Sequence, residues 1–365
     1  MGFKTLSTYM SRQFAFWLAS VFVTLMAIVA MFDVVELLRR ASGKQDVTTD
    51  VLVQMSLLKL PHLVQDMLPF AVLLGGMMCF WRLARSNELV IARAAGMSAW
   101  QFLTAPLTIT FLIGVVLVTT FNPFAAAMRS HYETLEGRYL GSDRAELAVS
   151  DTGVWLRQGN EDSQAVIHAE RVVGSGDAAR LDNVMVLQLE GEDRFEGRID
   201  ADAATLRPGY WELTNAYISE PEGGTDEVGV YRLATELTME GIQNSFASAD
   251  TLSFWELPKF IGTMEDAGFS ANAHRLYLHS LVATPALLCA MVLIAAIFSI
   301  RPSRRSSTGA LILGGVTCGF LLYFFTNVVH ALGLSQSIPA ELAAWAPAGV
   351  SMMLGVTALL HLEDG

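Results

Sequence analysis

The sequence predicts an α-helical membrane protein: six transmembrane helices plus an inserted extracytoplasmic all-β, jellyroll-like domain. Three observations carry this. First, 52% of the 365 residues are hydrophobic and only 16% are charged, where soluble domains average about 25% charged. Second, the apolar residues are gathered into long blocks rather than spread through a soluble core. Third, the acidic residues are gathered in the middle. From 144 to 266 there are 24 acidic and 9 basic residues, a net of −15, whereas the rest of the chain nets +3.

The first block, residues 14–32, runs nineteen residues without a charge. At 1.5 Å per residue it crosses the roughly 30 Å hydrocarbon layer. It exceeds a signal-peptide apolar core, and no small-x-small cleavage site follows. Gly2 does not signal myristoylation, because position 6 is Leu where Ser or Thr is required. The second block, 67–81, is extended towards the interface by the mixed segment 51–66. The third lies in 94–128, centred on LTITFLIGVVLVTTF. The remaining three occupy 276–300, 306–334 and 342–362. The domains expected are 1–143 for helices one to three, 144–271 for the β insert and 272–365 for helices four to six.

Lys4, Arg12, Arg82, Arg85, Arg93, Arg301, Arg304 and Arg305 fall on one side of this arrangement, against Arg39, Arg40 and Lys44 in the short loops of the other. Eight against three places both termini in the cytoplasm and the insert outside it. Within the insert, AVIHAERVV, NVMVLQLEG, RFEGRIDADAATLR and YWELTNAYISE alternate as strands do. Turn formers at 174–177, 208–209 and 221–224 separate them. Such a segment is long enough for its own core, and an antiparallel sandwich or jelly roll is expected.

Several chemistries are not signalled. No G-x-x-x-x-G-K-[ST] loop is present to cradle a nucleotide, and no nucleophile–base or metal-ligand spacing stands out. A basic nucleic-acid footprint is lacking. Cys79, Cys289 and Cys318 all fall inside spans, so no disulfide framework is implied. His279 and His330 read as hydrogen-bonded packing residues. In the fifth block, Gly315 and Gly319 form a G-x-x-x-G, which suits close helix contact.

The stretch RLARSNELVIARAAGMSAW, residues 82–100, places three arginines and a glutamate between apolar blocks. Read as one helix, it puts Leu83, Val90, Ala94 and Met97 on one stripe and Arg85, Glu88, Ala92, Ala95 and Gly96 opposite. An interfacial helix with an Arg85–Glu88 pair explains the stripe. A docking surface for a soluble protein also explains the small residues beside the acid.

This stretch resembles the cytoplasmic coupling helix of the lipopolysaccharide-export permease family, LptF and LptG. The family's R-S-E-L…A-x-G pattern is matched by Arg85-Ser86-Asn87-Glu88-Leu89 and then Ala95-Gly96, with Asn87 as an added residue. Pro61 and the run PFAVLLG at 69–75 look like the family's second span, and the segment 338–352 looks more like the LptG branch. The resemblance covers nearly the whole chain.

It implies a non-catalytic permease subunit in the bacterial inner membrane, paired with a paralogous LptF-like permease and an LptB-like ATPase dimer. This chain would bind no cofactor, ATP being used by the ATPase. Lipopolysaccharide would leave the outer leaflet and pass, through the β domain and a single-span LptC-like subunit, to a periplasmic LptA-like bridge. Exposing one twelve-carbon acyl chain to water costs on the order of 10 kcal/mol, so an enclosed apolar path is needed.

The coupling helix, at about 84–98, would contact the ATPase through Glu88, with Arg85, Arg93 and Gly96 beside it. Arg39, Arg40, Lys44 and Arg129, with Arg138 further on, stand where lipid phosphates are expected. Where LptG members often carry a lysine, this chain has Asp33, followed by Glu36. Phe70, Gly315, Gly319, Phe320 and Phe324 are expected at the lipid cavity or at the gate formed by spans one and five. Two other readings are a receptor or scaffold with a ligand-binding β domain and no transport, and the LptF branch of the same family. A secondary transporter leaves the large insert unexplained.

Overall fold

The computed structural model describes residues 2–41, 49–94, 96, 98–140, 146–150, 153–159, 163–173, 180–190, 194–219, 224–235, 248–266, 269–300 and 308–364. They fall into two compact units. One comprises residues 1–140, 250–255 and 272–365, the other 141–249 and 256–271. Two boundaries differ from the sequence-based ones: residues 250–255, expected in the β insert, belong to the helical unit, and residues 141–143, expected with helices one to three, belong to the other.

The helical unit contains α1 (Gly2–Ala41), α2 (Thr49–Arg85), a short α3 (Glu88–Ala94), α4 (Ala99–Val116), a π-helical turn (Leu117–Phe121) and α5 (Asn122–Leu140). After the insert come α7 (Asn272–Ile300), α8 (Thr308–Leu334) and α9 (Ala340–Asp364). Among the described residues six spans are long and apolar enough to cross a membrane, α4, the π turn and α5 forming the third. α2, α4, α7 and α9 carry internal prolines, tolerated in membranes where neighbouring helices satisfy the freed carbonyls.

The core is built on α7. Leu288, Ala290, Met291, Val292, Leu293, Ile294, Ala295 and Ala296 are all buried. Neighbouring helices reach this helix through small residues. A Cβ added at Gly114 of α4 would lie 2.7 Å from Pro285 Cα, and one at Gly355 of α9 would lie 2.7 Å from Leu293 Cβ. On the far side of α2, Gly75 lets the α1 backbone approach, its added Cβ falling 2.8 Å from Leu18 Cα. Phe14, Phe80, Leu83 and Leu103 fill the space between these contacts. Close approach of this kind is what binds helices in lipid, where burial of apolar surface gives no preference for helix over acyl chain. In their most apolar stretches, spans one and five are only 11% and 17% buried, against 61% for span four.

The β unit is a seven-stranded antiparallel sheet in the order β1-β2-β3-β4-β5-β6-β7. The strands are Glu146–Ser150, Gly153–Gly159, Ser163–Val173, Arg180–Glu190, Arg194–Arg207, Tyr210–Ser219 and Thr225–Ala234, followed by the helix α6 (Leu257–Asp266). The all-β insert is thus present. Its described strands are wired as a meander, and the crossing connections of a jelly roll are not seen among the described residues. Pro208-Gly209 forms the tight β5–β6 turn, with Gly209 at φ +86°, as proline then glycine at the centre of a type II turn requires. The other expected turns, at 174–177 and 221–223, lie outside the described residues.

A crease crosses this sheet. Asn183 of β4 and Asn215 of β6 both take φ +52°, a left-handed conformation that asparagine tolerates better than most residues. Asn183 donates to Glu170 of β3 at 2.5 Å, and Asn215 to Asp202 of β5 at 2.8 Å. At this line the inward alternation slips by one. Buried residues run Leu181 then Val184 on β4, Ala203 then Ala204 on β5, and Leu213 then Ala216 on β6. The extra residue on each strand is absorbed by this left-handed step, so the apolar side chains keep to one face.

Gly114 tests the packing. Gly114→Leu drives its side chain into Pro285 and is expected to cost about 1–3 kcal/mol of overpacking. Gly349→Ala, with nothing within 4 Å of the added carbon, is neutral. Thermal unfolding in detergent checks both; equal behaviour would contradict the close helix contact.

Candidate functional site

Residues 82–100 do not form one helix. α2 ends at Arg85. Asn87 turns the chain at φ +59°, closing with a bond from its N–H to Ala84 O at 3.2 Å. The residue that seemed inserted into the family pattern is therefore the one that makes the corner, and Glu88 follows as the first residue of α3. Gly96, at φ +83°, turns the chain again. Ser98 then starts α4 with a capping box: Gln101 N donates to Ser98 Oγ at 3.2 Å, and Ser98 N to Gln101 Oε1 at 3.3 Å.

The single-wheel stripe consequently breaks up. Leu83 and Leu89 are buried in the core, whereas Ile91 and Ala94 are exposed. Arg85 pairs with no carboxylate among the described contacts; its guanidinium lies over the Trp81 ring at 5.3 Å. Ser86 Oγ donates to Glu88 Oε1 at 2.8 Å, and Glu88 remains partly exposed. Arg93 lies within α3. The result is a short helix anchored by Leu89 and displaying an acid and an exposed isoleucine between two glycine- or asparagine-made corners.

At the other end of α1, α2 and α5 stands a network of ions. Asp33, which is 7% exposed, accepts from Lys59 of α2. Glu36 takes Arg39 by two bonds of 2.8 Å and Arg40 at 2.9 Å, and Arg40 continues to Glu136 of α5 at 3.3 Å. Buried Tyr132 sits at the centre. Lys59 lies 5.9 Å and Arg129 5.2 Å from its ring centroid, and its hydroxyl donates to Glu136 at 3.4 Å. Arg129 in turn donates to Asp250 at 2.9 Å and lies 3.3 Å from Glu133. Of the basic residues expected to meet lipid phosphates, Arg39, Arg40 and Arg129 are thus ion-paired within the chain, Arg138 is exposed, and Lys44 lies outside the described residues. Asp33 does not stand as a lone repulsive charge, because Lys59 offsets it.

The fifth-span glycines face α2 of the same chain. A Cβ at Gly315 would overlap Met77, and one at Gly319 would lie 3.2 Å from Leu73 and 3.5 Å from Phe70. Phe70 packs on Tyr323 at 5.8 Å between centroids, while Phe320 and Phe324 are on the exposed side of α8. Cys79 and Cys289 are buried, and none of the three cysteines is bonded to another.

Sequence reasoning missed Lys59, Tyr132, Glu136, Asp250 and the buried Asn122. A lysine in the mixed segment 51–66 and an Asn-Pro step interrupting an apolar run were the available signals, since polar residues at such positions require partners. Most of their partners are far along the chain, from 26 residues for Lys59 to 155 for Asn122 and Tyr277, and no local spacing shows that.

Six candidate spans among the described residues, the first and fifth largely exposed, and an inserted β unit define a polytopic membrane protein. Residues 8–361 match the family model of the lipopolysaccharide export system permease LptF/LptG, and the chain belongs to that family. It is similar to the lipopolysaccharide export system permease protein LptG of Escherichia coli K12, at 24% identity over 84% of both chains. It is likewise similar to LptG of Haemophilus influenzae, at 23% identity over 94% of this chain and 95% of that one. As a member of the family it is a multi-pass inner-membrane permease of lipopolysaccharide transport, the non-catalytic subunit of an ABC transporter.

Lys59→Ala is expected to leave Asp33 buried without its cation and to cost about 1–3 kcal/mol. Replacing both, as Lys59→Met with Asp33→Leu, is expected to recover most of that loss. A double-mutant cycle on thermal stability measures it; additive losses would show that the pair is not coupled.

Proposed function

We propose that this chain is the LptG-type half of a lipopolysaccharide exporter. It extracts the lipid from the outer leaflet of the inner membrane and passes it through the β unit to an LptA-like periplasmic bridge. The match to the permease family over residues 8–361 carries this reading. The positive-inside distribution supports cytoplasmic termini and a periplasmic β unit. The exposure of spans one and five supports a paralogous LptF-like permease seated against them and an LptC-like single span beside them, since apolar faces in a membrane are covered by lipid or by helices.

An LptB-like ATPase dimer supplies ATP hydrolysis. It docks on the corner-bounded α3, with Glu88 accepting hydrogen bonds from it and Ile91 entering an apolar hollow. The outer ion network meets the lipid headgroup: Arg39, Arg40, Arg129 and Lys59 exchange carboxylates for phosphate oxygens as the headgroup arrives, at similar charge-assisted bond strength. Phe70 with Gly315 and Gly319, and the exposed Phe320 and Phe324, lie along the acyl-chain path and its gate.

Mild-detergent purification from the native membrane, followed by mass spectrometry, tests the assembly. An ATPase, a second six-span permease and a single-span periplasmic protein are expected in the eluate. Glu88→Ala is expected to reduce the retained ATPase by about tenfold, as loss of one charged hydrogen bond does. A chain that emerges without any ATPase overturns the reading in favour of a receptor.

A further inference from the structure

We propose that residues 250–255 are a latch that holds the return from the β unit to the third span, with Asn122 as its positioning residue. Through it, movement of that span is passed to the β unit.

The latch is fastened at three points. Asp250 accepts from Arg129 Nε at 2.9 Å, and His62 Nε2 lies 3.8 Å from the same carboxylate. Phe254 N donates to Asn122 Oδ1 at 2.8 Å. Trp255 Nε1 donates to Thr119 O at 3.0 Å. Asn122 is fully buried, and its Nδ2 points to Gln65 of α2 and Tyr277 of α7, each at 3.3 Å. One amide therefore ties the second and fourth spans to the latch at the place where the third span changes pitch.

The change of pitch has a local cause. Pro123 has no N–H, so the α-helical donor four residues beyond Thr119 is missing. The turn Leu117–Phe121 widens to π, with Asn122 N donating to Leu117 O, and Thr119 O accepts from the Trp255 indole. Single π turns are places where a helix alters its winding at low cost. Here both fixed points, Thr119 O and Asn122 Oδ1, are held by the last two residues of the latch, and α6 of the β unit begins two residues later, at Leu257. A shift in winding at this turn moves those two anchors together and so pulls on the segment entering the β unit.

The consequence for transport rests on the exporter reading above. The attachment itself does not, so the experiment has two arms. Hydrogen–deuterium exchange of peptides covering 248–258 is measured on the full chain in nanodiscs containing lipopolysaccharide, alongside basal and lipopolysaccharide-stimulated ATP hydrolysis of the purified complex. Asn122→Leu and Trp255→Phe are expected to raise exchange in this segment, roughly tenfold for Asn122→Leu, and to remove the lipid stimulation while basal hydrolysis stays. Asn122→Asp keeps the acceptor for Phe254 N and is expected to retain protection and stimulation. Unchanged exchange in Asn122→Leu, or raised exchange with full stimulation, overturns the proposal. A wild-type complex with no lipid stimulation at all counts against the exporter reading instead, and the exchange arm still decides whether the latch holds.

Discussion

Between helices in a membrane, apolar burial alone cannot choose one arrangement, because acyl chains solvate leucine as well as another leucine does. Shape must choose instead, and in this chain it does so around α7. Gly114 and Gly355 remove the side chains that would hold α4 and α9 away from it, and Gly75 brings α1 onto α2. The Pro285 face that Gly114 meets is itself smooth and rigid. Once these contacts are made, the large side chains of the core have fixed hollows to fill. Spans one and five are left on the outside, the first resting mainly on α2 and the fifth mainly on α9 and α7, with most of their apolar surface unused by the chain itself.

The β unit solves a different problem. A single antiparallel sheet has one inner face, and a long flat sheet would leave it uncovered. The left-handed asparagines Asn183 and Asn215, each tied to a carboxylate on the neighbouring strand, reset the side-chain alternation across the middle strands. The one-residue slip in alternation keeps Leu181, Ala204 and Leu213 on the same side as Val184, Ala201 and Ala216. The apolar side chains thus stay on one face on both sides of the two asparagines.

Much of the fold was legible in the sequence, because its signals are local. Nineteen uncharged residues at 14–32 can hardly do anything but span, and period-two alternation in NVMVLQLEG and YWELTNAYISE marks strands directly. What failed was continuity. The stretch 82–100 reads as one amphipathic helix on a wheel, but Asn87 and Gly96 break it at two corners, and Leu89 turns inward rather than out. The ion network was half legible. Arg39, Arg40 and Arg129 could be picked as bases near a membrane surface, with Glu36 one turn before the first two, but Glu136 and Asp250 could not, since they reach these bases through tertiary packing. The latch was invisible for the same reason: residues 250–255 read as part of the insert, and only the folded chain returns them to Thr119 and Asn122.

The proposed exporter requires the first and fifth spans to be surfaces for another permease. Site-specific photocrosslinking in native membranes tests that most directly, with the reactive group at Met31 and Phe320 on the exposed spans and at Leu293 in the core. Adducts to a second six-span protein are expected from Met31 and Phe320, and only intrachain products from Leu293. Lipid adducts alone from both exposed positions, in membranes where the complex is otherwise assembled, would contradict it.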